Sequence, residues 1–562
     1  MKYFIVLIFV ITNIYGKEGY FINPIISGGH ADPSICRVGD DFYIVNSSFE
    51  YFPGLPIHHS KDLVNWELIG HGLHRKEQCN GEMNLVDVQS NGGIHAPTIR
   101  YHKGTFYIIT TNVYNSGDGS PGVMINFIIT AKDPSGPWSD PHIIDGANGI
   151  DPDIFFDDDG KVYFTGTHNP GDINSNGIGA IWIQELDIKK WKLIGEKHSI
   201  MDDRLGKHTE GPHIYKENGS YYLLVAVGGT GQEHSVMIAA SKNIFGPYEE
   251  NPRNPILTSR HLSHEYFVNN VGHADMIELE DGRWYMVSLG KRNNIGGDSN
   301  MNRETYLAPM KWEPTIVKWE QVSEDRWEPL RHLFPVVAPL TGKVERFTPL
   351  PFTDKPQYIN NTIIDDFQDE NLDLRWTFIR VPEEKTYSLL ENKGSLRLFS
   401  KPGIIENRKR FSFVGFRQKE SDFEFEVKMK FDPTSDKVES GVIHYQMEYN
   451  YLASMVTKTK KKFFLEQRLK EKEKQAVTLK KVLLKNYDGI IVIKLISKRD
   501  KHDFYYSLDN GLNFILYNSV DAIKTLDANY TGALLGLYTT SNGKLTQDYA
   551  DYDWVRYKDY VR

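Results

Sequence analysis

The pattern of apolar and polar positions has period two along nearly the whole chain, and in its first part it recurs as a unit. The unit reads ADPSICRVGDDFYI from Ala31, HAPTIRYHKGTFYI from His95, IDPDIFFDDDGKVYF from Ile150, EGPHIYKENGSYYL from Glu210 and HADMIELEDGRWYM from His273. Each copy has a Pro or Asp anchor (Pro33, Pro97, Pro152, Pro212, Asp275), an Ile two residues on, a Gly or acidic turn, and a strand carrying a matched tyrosine (Tyr43, Tyr107, Tyr163, Tyr222, Tyr285). A short apolar run that meets such a turn and resumes with alternating aromatics is a β-hairpin signal. A second echo, SKDLVNWELI from Ser60, AKDPSGPWSD from Ala131 and ELDIKKWKLI from Glu185, continues through SKNIFGPYEE from Ser241 and KWEPTIVKWEQV from Lys311. Five four-stranded units with no amphipathic helix between them predict a five-bladed β-propeller over residues 17–345.

After a Pro-containing stretch, residues 346–362, read as a linker or ordered seam, the alternation resumes in YSLLENKGSLRLFS, FEFEVKMKF, GVIHYQMEYNY, IIVIKLIS, FYYSLDNGLNFILY and GALLGLYTT. Regular strands without helices predict a β-sandwich over residues 363–562. The expected fold class is therefore all-β, a propeller followed by a sandwich. The Lys-rich stretch from Lys458 to Lys481 reads as a solvated strand face and hairpin.

Composition changes this picture only by exclusion. Lys plus Arg number 65 against 74 Asp plus Glu in 562 residues, a formal net charge of -9 without a basic block of domain size, so nucleic acid is not an expected partner. Lys2 followed by the mostly apolar Phe4 to Ile14 has the form of a secretory leader, residues 1–16, and is too short to span a bilayer. A secreted or periplasmic protein without a membrane span is expected. Cys36 and Cys79 allow at most one internal disulfide or two free thiols.

In a propeller the first strand of each blade is innermost, so Ala31/Asp32, His95/Ala96, Ile150/Asp151, Glu210/Gly211 and His273/Ala274 converge on the axis. Three acids and two histidines at one mouth exceed what packing requires, because a buried carboxylate costs several kcal/mol unless it is paired. Carboxyls on different blades suit the wider acid–base separation, about 6.5–9.5 Å, of an inverting glycosidase. A third acid can raise and orient the proton donor.

The run SSFEYFPGLPIHHSKDLVNW, the acid motifs ADPSI, GIDPDIFFDDDGKVYFTGT and EGPHIYK, then GHAD and NRETYLAP, closely resemble glycoside hydrolase family 43. The likeness is to its β-xylosidase and α-L-arabinofuranosidase members with a C-terminal concanavalin-like sandwich. The resemblance implies Asp32 as general base, Asp151 as the acid that tunes pKa and orients, and Glu210 as general acid. It implies Arg303 on the sugar hydroxyls and Phe49 lining the substrate. It also implies His273 facing a hydrated cation, often calcium, in the channel, while the chemistry itself requires no cofactor. His95 departs from the bulkier Trp or Tyr common before Ala-Pro, and is expected to flank the terminal sugar. The expected activity is inverting exo-hydrolysis releasing terminal β-D-xylose, and α-L-arabinofuranose as an additional or predominant product, from xylo-oligosaccharides or arabinoxylan fragments. Two rivals stand beside it: a retaining β-fructosidase-like enzyme, against which A-D-P and E-G-P replace N-D-P and E-C, and a non-catalytic carbohydrate-binding protein. The sandwich is expected to contribute a pocket wall through a residue that the sequence does not single out, and it leaves the oligomeric state open.

Overall fold

The computed structural model describes residues 14–15, 18–115, 122–293, 299–525 and 529–561. The expected leader falls outside them except for the backbone of Ile14–Tyr15, which pairs with Tyr358–Ile359.

The recurring unit folds as five antiparallel sheets. The first sheet runs Ser34–Val38, Asp41–Val45, Gly54–Ser60, Glu67–Leu73, and the second Gly93–His102, Thr105–Tyr114, Val123–Ala131, His142–Ile143. The third is Asp153–Phe156, Val162–His168, Ala180–Asp187, Lys192–Met201. The fourth begins at Glu210–Glu217 and the fifth at Val268–Glu278. Each first hairpin turns on a glycine of positive φ: Gly39, Gly104, Gly160, Gly219 and Gly282. Open space surrounds all five, so the backbone angle rather than crowding calls for glycine. Successive first strands touch one another, and the fifth returns to the first, closing the ring.

One buried network ties all five blades along the axis. The Arg100 guanidinium of blade two lies 3.0 Å from Asp153 of blade three and 2.9 Å from Asp275 of blade five. It also lies 3.0 Å from His213 Nδ1 of blade four. The Ser34 hydroxyl of blade one donates to Asp275 at 2.7 Å, and the Tyr215 hydroxyl donates to it as well. Burial alone would raise the Asp275 pKa, but Arg100, His213 and these hydroxyls hold it well below the usual range.

Two sheets make the sandwich. One has the order Ser412–Arg417, Leu534–Thr540, Glu439–Met447, Asn450–Thr459, Lys462–Lys470, Val477–Leu483; the other is built around Tyr549–Asp559. The Lys-rich segment forms the edge of the first, where Lys481 pairs with Glu466 at 2.6 Å. In the stretch between the two bodies, Phe347–Pro349 pairs with Tyr20–Ile22 at the propeller's N-terminal strand. Cys36 and Cys79 are buried free thiols.

Propeller and sandwich share one apolar core, in which Leu55, Ile94 and Phe127 cluster with Phe378, Val414 and Phe425. Phe378–Ile379 pairs antiparallel with Tyr51–Phe52. Across the same seam Arg292 binds Glu304 and Glu420 at 2.7 and 2.6 Å. Replacing Arg292 by Met leaves two buried carboxylates without their cation. Such a loss costs about 3–5 kcal/mol, and urea denaturation followed by tryptophan fluorescence is expected to show a correspondingly lower midpoint.

Candidate active site

At the mouth of the ring the chain repeats a backbone device. Asp32, Ala96, Asp151 and Gly211, each preceding an anchor proline, have φ of 50°, 34°, 54° and 58°; in blade five the left-handed residue is His273, at 45°. Left-handed backbone at a non-glycine residue costs about 1–3 kcal/mol and persists where the surroundings impose it. Here it turns successive strand starts toward one hollow.

Asp32 and Asp151 are buried, 4% and 6% exposed, and Glu210 is nearly so. The carboxyls are close enough that the charges of Asp32 and Glu210 act on Asp151 and that of Asp32 acts on Glu210. Asp32 accepts from the Ser47 hydroxyl at 2.6 Å and from Arg303 Nη1 at 3.3 Å, and His273 Nδ1 lies 3.9 Å away. Burial would raise the pKa of Asp32, but His273, Arg303 and Ser47 together lower it. Burial holds His273 itself down to about 4, so above that pH Arg303 and Ser47 carry the effect. Asp151 is pushed well above the usual carboxylate range by burial and by the charges of Glu210 and Asp32, against one hydrogen bond from the Gly211 amide at 3.1 Å. Burial, opposed by Arg303 and helped by Asp32, raises Glu210 to about 7. The hollow thus holds one carboxylate that stays ionised and a coupled pair that retains a proton.

Arg303 begins the third strand of blade five, with Nε and Nη2 buried and unpaired by protein. Its guanidinium lies 4.1 Å over the ring of Tyr530, a sandwich residue. Phe49 packs edge-on to His95 at 5.0 Å and lies 6.1 Å from Tyr530, so the three rings form one wall. Phe49 is fixed by paired backbone bonds to Ile94, and Gly93 leaves room for its carbonyl, which a Cβ there would meet at 2.3 Å. His95 Nε2 contacts the Asn91 carbonyl at 2.8 Å, and burial keeps the ring neutral down to about pH 4.

Every residue singled out from the sequence therefore borders the same hollow. Those missed come from outside the repeat. Ser47 is the first residue of the SSFEYF run, in which the sequence singles out Phe49 alone. Asn91 Oδ1 accepts from the Tyr530 amide at 3.0 Å, and Asn302 Nδ2 donates to the Thr531 carbonyl at 2.9 Å, so two propeller asparagines clasp the sandwich loop that carries the pocket's third ring. His234, held by the Asn270 carbonyl at 3.0 Å, packs against Gly272, where a Cβ would meet its ring at 2.5 Å.

A cation beneath His273 finds few donors. Among the described residues no group of three His, Cys, Asp or Glu side chains is arranged to hold a metal. Two axial acids, Asp153 and Asp275, flank the Arg100 guanidinium, while Asp32 lies 3.9 Å from His273.

The sequence model described as "Glycosyl hydrolases family 43" matches residues 21–315, and that described as "Beta xylosidase C-terminal Concanavalin A-like domain" matches residues 364–558. A xylosidase/arabinosidase of Butyrivibrio fibrisolvens is 40% identical, covering 95% of this chain and 98% of its own. A non-reducing end α-L-arabinofuranosidase of Bacteroides ovatus is 36% identical over 97% and 96%. Among solved structures, a xylan β-1,4-xylosidase of Bacillus halodurans superposes with a TM-score of 0.83 at 30% identity, covering 96% of this chain and all of that one.

The charges in the hollow make a direct prediction. Asp32→Asn removes the negative charge that helps hold the Glu210 proton, so its titration moves down from about 7. Arg303→Met removes the opposing cation and moves it up. Carbon-13 NMR of labelled glutamate side chains reads both, with the two steps of the Asp151–Glu210 pair treated together.

Proposed function

Since the chain belongs to glycosyl hydrolase family 43, we propose that this exo-acting glycoside hydrolase releases terminal β-D-xylose, and α-L-arabinofuranose as a second product, from the non-reducing ends of oligosaccharides with inversion. The observation that carries this reading is the partition of protons in the hollow: Asp32 held low, Glu210 held at about 7.

Glu210 gives its proton to the glycosidic oxygen as the bond from that oxygen to the anomeric carbon breaks. Asp32 takes a proton from a water that attacks the anomeric carbon from the opposite face. The products are a sugar of inverted configuration and a free hydroxyl on the leaving group; Glu210 regains and Asp32 loses its proton through solvent before the next cycle. Asp151 modulates and orients the acid as the other half of a coupled pair: the two share the retained proton, and the amide of Gly211, the residue after Glu210, donates to Asp151 at 3.1 Å. The Arg303 fork, with two donors free of protein partners, suits vicinal sugar hydroxyls. The wall of Phe49, His95 and Tyr530 supports an exo mode, because it closes one side of the hollow. The Bacillus relative is named as a xylosidase and the Bacteroides relative as an arabinofuranosidase, which supports both products.

No cofactor takes part in this scheme. The leader-like Lys2 to Ile14 supports export to the periplasm or outside the cell; amino-terminal sequencing of the mature protein tests it.

Four measurements follow. Aryl β-D-xyloside and aryl α-L-arabinofuranoside are expected to be hydrolysed, and Glu210→Gln to lose about 10²–10⁴-fold in kcat with poor leaving groups; a protein inactive on both, or an unaffected variant, overturns the reading. Proton NMR of the xyloside reaction is expected to show α-xylose first. Because Glu210 must carry its proton, kcat/KM falls as pH rises through about 7, and exhaustive dialysis against EDTA leaves it unchanged.

A further inference from the structure

On the far side of the segment that leads into Asp32, the domain seam opens into a cavity of about 560 Å³ lined by Ser27, His30, His58, Trp66, Arg417 and Lys419, among others. Its charge is unusual for a buried seam. Arg417 donates through Nε to the Gly29 carbonyl at 3.2 Å and faces the Tyr51 ring. Neither Arg417 nor Lys419 has a carboxylate within 4 Å among the described residues. Elsewhere in the seam Arg292 is matched by Glu304 and Glu420, and Arg375, on the same cavity wall, by Asp373 at 2.6 Å.

The surrounding groups register this excess of positive charge. His30, His58 and His71 are all held neutral, by burial first and by Arg417 next, with His58 and His71 down to about 3. His58 leaves Nδ1 buried and unpartnered in the same wall. Burial lowers the Lys419 pKa, and among the described residues its amine has no hydrogen-bond partner. No carboxylate opposes the burial of Arg417, only the Tyr51 phenol, whereas Asp559 and Asp373 act on Lys419 from beyond 4 Å; a buried cation without a close partner is costly.

We propose that this cavity is a binding site for a small oxyanion, a phosphate or a sugar carboxylate, held between Arg417 and Lys419. A guanidinium fork and an ammonium converging from one sandwich strand and its continuation provide charge-assisted donors for two or more anion oxygens. The wall that faces them is propeller backbone from Ser27 to His30, so the ligand bridges the two bodies. It is separate from the carboxyl hollow, where an anion meets Asp32, Asp151 and Glu210.

The test is thermal denaturation and isothermal calorimetry of the full chain with inorganic phosphate and, separately, with D-glucuronate, against sodium chloride of equal ionic strength and neutral glucose. A saturable rise in Tm with at least one oxyanion is expected, and which one acts distinguishes the two sources. Lys419→Met, which removes no hydrogen bond, and Arg417→Met are each expected to weaken binding about tenfold or more, the worth of a charge-assisted hydrogen bond. They are also expected not to lower the anion-free Tm by as much as Arg292→Met does. No rise beyond the chloride control, or a rise that survives in Lys419→Met and in any folded Arg417→Met, overturns the proposal. Its outcome does not depend on catalytic activity, so it stands or falls separately from the glycosidase reading.

Discussion

Three carboxyls share a buried hollow with one guanidinium, and that imbalance governs the site. Full ionisation would leave two negative charges uncompensated out of water, which the interior does not tolerate. Arg303 and the Ser47 hydroxyl approach Asp32, so the ionised form settles there, and the remaining pair keeps its proton. Acid and base are thus assigned by what surrounds each carboxyl, with His273, Arg303 and the Ser47 hydroxyl gathered at Asp32, rather than by any difference between the carboxyls themselves. Opposed protonation at neighbouring carboxyls is the arrangement general acid–base catalysis requires.

The same constraint explains why the sandwich belongs to the catalytic unit. Arg303 makes one long hydrogen bond to Asp32 and otherwise rests on Tyr530. A desolvated cation–π contact is worth about 2 kcal/mol or more, enough to favour one placement of a side chain that protein hydrogen bonds hardly restrain. The Tyr530 loop is itself clasped by Asn91 and Asn302. At its base, Gly532 meets Gly29 backbone to backbone, at a distance where a Cβ on either would collide. Propeller and sandwich therefore have to be docked before the charge distribution in the hollow is complete.

How far this was legible in the sequence follows from where each part sits. The five anchors, their glycine turns and the tyrosines recur because every blade solves the same packing problem, and a local solution repeated five times is visible in one chain. Asp32, Asp151 and Glu210 were found by the same route, as departures at a repeated position. Tyr530 was not, since it is 227 residues from Arg303 in a body of different periodicity, and nothing nearby marks it. Asn91 precedes its blade and Asn302 ends a loop, so neither occupies a repeated position. Arg100 does sit within a repeat, in HAPTIRYH, yet its role depends on partners from blades three, four and five. Long-range charge pairing has no periodic signature.

The strand starts also show why the third acid breaks rank. Asp32 and Asp151 occupy the left-handed position before proline, and the matching residue in blade four is Gly211. A Cβ there would meet the His273 ring at 3.1 Å, so His273 already fills the space a side chain in that row would take. The blade-four acid stands one residue earlier, at Glu210, with a longer side chain. Glycine at 211 also exposes the amide that binds Asp151, and this hydrogen bond joins the two rows. Replacing Gly211 by alanine therefore pushes against His273 and, through the strained left-handed backbone, against the amide that orients Asp151. The proton-holding pair is disturbed without either carboxyl being touched, which makes that glycine part of the acid's environment as much as of the strand.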